Sequence, residues 1–113
     1  MYQVKEQDWK LFRKKMPIWQ EAYMDSLNQE YIRLLSGEGL PSDKFWELEK
    51  RIRMDKKSVG VVADMRRSMM YTNLLSLLAN EIIREDDLKG FSEELSETVK
   101  YAARQSKAFA ERI

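Results

Sequence analysis

Trp9, Phe12, Met16, Trp19, Tyr23, Leu27, Tyr31 and Leu34 recur at spacings of three and four. On an α-helix such spacings return to one face, so the first third of the chain predicts a single long amphipathic helix over about residues 5–36. At ~1.5 Å per residue that helix is roughly 48 Å long, whereas a compact globule of this size is only about 34 Å across. It must therefore overhang the rest of the molecule, bend, or meet another chain, which is a first pointer to self-association. Pro17 falls inside the stripe, where it removes a backbone hydrogen bond and crowds the preceding turn. The stripe keeps its phase on both sides, so the expectation is one helix kinked near Pro17, with two helices meeting at Lys15 and Met16 as the alternative. "SGEGLPS" ends it: Gly37 and Gly39 suit a C-terminal cap and Pro41 blocks continuation.

Few breakers follow. The chain of 113 residues holds four Gly and two Pro, and it is rich in the residues that lose least on entering a helix. A second helix, about 42–56, is capped by Ser42 or Asp43 and is expected to turn Phe45, Leu48 and Ile52 inward. "KKSVGVV" interrupts it, since Gly60 and its neighbouring valines are weak helix formers. A third helix, about 59–84, and a fourth, about 86–105, complete the reading. In the fourth, Leu88, Phe91, Leu95, Val99 and Ala102 share a face, and Gly90 either lies within the helix or separates a first turn from a helix capped by Ser92. The fold class predicted is all-α, a single-domain bundle of about four helices.

The third segment contains "SMMYTNLLSLLAN", thirteen uncharged positions in a chain that is 35% charged. On a helix its apolar residues, from Met70 and Tyr71 to Leu78 and Ile82, span about 200°, wider than the ~100° stripe of a surface helix. That width predicts a helix surrounded on most sides, the central one of the bundle. Part of the arc is also a candidate dimer face, with Trp19, Trp46, Met69, Met70, Leu74 and Leu77 as the interface residues, because Trp and Met are enriched where proteins meet. The same residues at helical spacing serve equally as core.

The chemical repertoire is narrow. There is no Cys and no His, so thiolate chemistry, disulfides and the commonest neutral-pH acid-base side chain are missing. Glu85, Asp86, Asp87, Glu93, Glu94 and Glu97 form an acidic cluster, but the spacing around Gly90 does not match a calcium loop. Acids at a helix N-terminus are accounted for by the helix dipole. Arg67 lies on the side that becomes apolar one turn later and is expected to be partly buried against a carboxylate. No catalytic site, cofactor or metal is expected. The longest charge-free run falls short of the ~20 apolar residues of a membrane helix, and "MYQVKEQDWK" lacks a secretory h-region, so the expected location is the cytoplasm. Net charge is +1, leaving nucleic-acid binding to local patches. Lys10, Arg13 and Lys14 form one candidate and Arg53, Lys56 and Lys57 another.

"SDKFWELEKRIRMDKKS", "MRRSMM" and "DDLKGFSEELSETVK" resemble, in the same order, segments of a set of small uncharacterised bacterial helical proteins, over roughly residues 5–101. Some of that set carry a multidrug-transporter label, which the lack of a membrane span contradicts here. The resemblance implies a bacterial origin and an all-helical fold, and carries no site residues. The sequence thus points to a non-enzymatic protein-protein interaction or regulatory module acting as a homodimer, with accessory nucleic-acid binding as the alternative.

Overall fold

The computed structural model of the protein describes residues 3–112. Four α-helices, α1 (Glu6–Ser36), α2 (Pro41–Asp55), α3 (Met70–Ala79) and α4 (Glu93–Arg112), with two short 3-10 turns at Arg67–Met69 and Glu85–Leu88, account for its regular structure. No strand occurs among the described residues, so the all-α class holds. The molecule measures 52 × 34 × 22 Å, and its radius of gyration of 16.6 Å exceeds the ~13 Å of a compact chain of this length. α1 sets the long dimension.

Pro17 lies inside an unbroken α1, which removes the two-helix alternative. At its end the Gly37 N–H reaches Leu34 O at 3.4 Å. Gly39, at φ 129°, supplies the positive φ that turns the chain toward Pro41. α2 begins at Pro41 with Leu40 in the cap position and no side-chain cap. The caps expected from Ser42 or Asp43 are not used, because proline's fixed φ already suits the first helical position.

The third helix is much shorter than expected: residues 59–69 are not α-helical, and α3 stops at Ala79. Val59, Gly60, Val61 and Val62 leave the helix for a packed loop whose backbone is satisfied by side chains. Gln20 donates to Val59 O at 3.2 Å and the buried Asn73 amide donates to Asp64 O at 2.8 Å. Gly60 is buried flat against Tyr23, where an added Cβ would overlap the ring. At the far end, Glu81 takes φ 60°, and the N–H groups of Ile82 and Ile83 both return to Leu77 O at 2.9 and 3.3 Å. This left-handed closure terminates α3. The last helix starts at Glu93 rather than near residue 86, because Gly90 at φ 99° breaks the chain. Ser92 then caps it, its Oγ accepting from the Leu95 N–H at 3.3 Å.

Phe12, Met16 and Trp19 from the first half of α1 join Met70, Leu74, Leu77 and Leu78 of α3, Leu88 and Phe91 of the connection, and Leu95, Val99 and Ala103 of α4 in one core. The uncharged island is therefore the centre of a three-helix bundle. One charged side chain lies within it. Asp8, fully buried, accepts from the Ser92 N–H at 2.7 Å and the Ser92 hydroxyl at 2.6 Å. It ties the start of α1 to the cap of α4.

Candidate interaction surface

Beyond Trp19, α1 leaves the core of the bundle and is accompanied by the loop after α2, which meets Gln20 and Tyr23, and then by α2, forming a helical hairpin. α2 has no buried residue at all. Of the inward stripe expected from Phe45, Leu48 and Ile52, only Leu48 is half-buried; Phe45 is 62% exposed and Ile52 38%.

The cause is the face that α2 turns toward α1. Lys44 Nζ donates to Leu35 O at 3.1 Å, and Arg51 donates to Glu30 at 3.3 Å while its guanidinium lies 5.9 Å from the Tyr31 ring centre. The Tyr31 hydroxyl donates to Asp55 in a short hydrogen bond. Burial and the adjacent Asp55 carboxylate push the Tyr31 phenol up to about 12. Lys44, Leu48, Arg51 and Asp55, the half-buried residues of α2, are spaced by four, three and four, so α2 docks by a seam that is polar except for Leu48. Phe45 and Ile52 each follow a seam residue, which rotates them ~100° away from α1.

That rotation leaves an apolar stripe along one open side of the hairpin. At its C-terminal end Ile52 and Lys56 border a depression of about 270 Å³ that continues to Met24, Leu27, Tyr31 and Val61. Toward the N-terminal end the same Ile52 and Lys56 border a second hollow with Phe45, Leu48, Glu49 and Arg53. The two hollows therefore share a rim and form one continuous surface. Arg53 pairs with Glu49 along its edge and holds the Glu49 carboxyl below the usual range. Trp46 stands 63% exposed beside Phe45, with ring centres 5.0 Å apart and planes at 88°.

The residues expected at a dimer face are divided by this arrangement. Trp19, Met70, Leu74 and Leu77 are enclosed by the protein's own bundle and cannot meet a second chain; the wide arc of α3 is satisfied within the molecule. Met69 is half-buried and Trp46 alone of the set is well exposed. The surface residues that sequence reasoning missed are Phe45 and Ile52, assigned to the core by periodicity; Leu48, expected with them, is half-buried. Of the candidate phosphate contacts, Lys10, Arg13 and Lys14 are exposed on the bundle half of α1, with Arg13 lying 5.9 Å from the Trp9 ring centre. Arg53, Lys56 and Lys57 are exposed at the end of α2, Arg53 being held by Glu49. Arg67 is exposed rather than partly buried and pairs with Glu6 of α1.

A more polar hollow of about 380 Å³ lies between the end of α3 and α4. Four of its charged residues are paired, Arg104 with Glu85 at 2.6 Å and Lys107 with Glu81 at 3.3 Å, and Arg84 lines it as well. The adjacent Arg104 holds the Glu85 carboxyl below its usual range. Among the described residues, no group of three or more acidic side chains could hold a metal, every buried side-chain N or O atom has a partner, and no helix is long and apolar enough to cross a membrane. No protein-family model, curated protein or solved structure matches the chain.

Proposed function

We propose that the protein is a non-enzymatic helical interaction module of the bacterial cytoplasm, that it acts as a homodimer, and that the open face of the α1–α2 hairpin is its docking surface. One observation carries this reading: α2 spends its polar face on its own chain and presents its apolar face, with Phe45 and Ile52, outward. A helix needing no partner is expected to do the reverse. Aromatic and aliphatic residues ringed by charges such as Glu49, Arg53 and Lys56 are the usual composition of an interface centre and rim.

Nucleic-acid binding through Lys10, Arg13, Lys14, Lys56 and Lys57 is the weaker reading. Arg53 is engaged by Glu49, and the net charge of +1 provides no long-range attraction to phosphate.

Absolute mass by light scattering behind a sizing column, over a range of protein concentrations and salt, tests the proposal. The expected result is a mass rising from that of the 13.5 kDa chain toward twice that value with concentration, at low and high salt alike. A mass of one chain throughout would overturn it.

A further inference from the structure

We infer that two copies pair antiparallel across α2 about a two-fold axis at Ile52–Arg53, each seating its Phe45 ring in the other's depression between Met24, Leu27, Tyr31 and Val61. The inference rests on the homodimer reading above and gives it a geometry.

A two-fold interface is made by one patch meeting itself, so every projection must be answered by a recess at an equal distance on the other side of the axis. The hairpin carries such a pair. Phe45 projects two helical turns, ~10.5 Å, before Ile52. The apolar depression opens on the other side of Ile52, running past Lys56 to Val61. Its volume of about 270 Å³ is sufficient for an aromatic ring, since a dry cavity of ~150 Å³ accepts benzene. Filling it would cover Phe45 and the open sides of Met24 and Tyr31 together.

The charges select the direction. Glu49 and Lys56 lie seven residues apart on the same edge of the stripe, and the midpoint between them is the Ile52–Arg53 step. Antiparallel pairing about that step sets Glu49 of each copy against Lys56 of the other, twice. Parallel pairing would oppose Glu49 to Glu49 and Lys56 to Lys56, and would leave the depression without its ring. The size of the surface limits the strength. A face ~22 Å long and ~20 Å wide on each copy buries close to the ~1,000 Å² lower bound of specific interfaces, so the dimer population should follow protein concentration.

The protein has no cysteine, which permits a direct test. Glu49→Cys and Lys56→Cys, both at exposed positions, are prepared separately and exposed to mild oxidant or a short thiol crosslinker, alone and mixed. The expected result is a linked dimer in the mixture and little in either variant alone, because like positions stand ~10 Å apart across the axis. In parallel light-scattering titrations, Phe45→Ala is expected to raise the dimer dissociation constant at least ~10-fold. Glu49→Lys and Lys56→Glu should each raise it ~3–10-fold, and the double variant should return to within about 3-fold of the parent. Circular dichroism is expected to stay unchanged, since α2 contributes no buried side chain.

One-chain mass for the unmodified protein at every concentration overturns the homodimer reading and this geometry together. A dimer that ignores Phe45→Ala, or that links like positions in preference to the mixture, leaves the homodimer reading standing and overturns the antiparallel arrangement.

Discussion

The two halves of α1 belong to one helix with one apolar stripe, yet they live in different surroundings. In the first half Phe12, Met16 and Trp19 are closed over by α3 and α4, and even a carboxylate, Asp8, is fully buried. In the second half Leu27 is the one buried residue of the helix, and the other stripe residues, Tyr23, Tyr31 and Leu34, are only half-buried. The difference lies in the covering element. α3 has an apolar arc wide enough to serve two neighbours, whereas α2 arrives with Lys44, Arg51 and Asp55 facing α1. Periodicity thus identifies which face of a helix is apolar; whether that face is covered depends on which side of the neighbour is turned toward it.

The comparison can be broken most directly in the bundle. Leu74→Ala removes a side chain with no exposure and should cost about 3 kcal/mol in chemical denaturation, by lost transfer energy and the cavity left behind. Asp8→Ala leaves the Ser92 N–H and hydroxyl without their buried acceptor and should cost roughly 2–3 kcal/mol in the same measurement, with α4 fraying at its start in hydrogen exchange. Glu81→Gly relieves the one non-glycine residue at positive φ among those described and should stabilise the bundle by about 1 kcal/mol, read as a raised denaturation midpoint.

The hairpin is expected to respond to pH rather than to truncation. The Tyr31 phenol is raised from 10 to about 12 in the folded protein, so its neutral form is favoured by folding. Its contribution is complete below pH ~10 and is lost as the pH rises toward ~12. Subtracting the ultraviolet titration of Tyr31→Phe from that of the parent should show one phenol ionising near pH 12, and exchange protection of α2 should fall over the same interval. The smallest effect sharpens the contrast most. Ile52→Ala, at dilutions where the chain is monomeric, should change stability by less than ~0.5 kcal/mol, against several for a leucine of α3. A cost above ~2 kcal/mol would mean that α2 is packed as a core helix.

Much of the fold was legible. The all-α class, the bounds of α1 and the central place of the island follow from spacing and composition, because a stripe sustained over eight positions has few alternative explanations. The bounds of α3 were not legible. Residues 59–69 carry enough apolar side chains to continue a helical pattern, and what unwinds them is a contact distant in sequence, Gly60 on Tyr23 together with Gln20 and Asn73 reaching the loop carbonyls. The docking face was misplaced for a related reason. Phe45, Leu48 and Ile52 have the right spacing for a core, yet only Leu48 turns toward α1, and no local signal shows that Tyr31, Glu30 and the Leu35 carbonyl would draw polar residues inward in place of Phe45 and Ile52. Asp8 did leave a trace: it falls at the stripe position four residues before Phe12 and eight before Met16, and a carboxylate on an apolar face signals a partner brought from elsewhere.

That partner, Ser92, lies 84 residues downstream, and the chain is made from one end. At ~5–20 residues per second, Ser92 is synthesised about 4–17 s after Asp8. During that interval the hairpin, whose hydrogen bonds lie between residues 20 and 59, can close, while Phe12, Met16 and Trp19 still await α3 and α4. The nascent chain therefore emerges arm first, with the apolar half of α1 uncovered until the last helix arrives. Truncation anywhere before α4 should leave a product that is helical but sticky, and a substrate for chaperones.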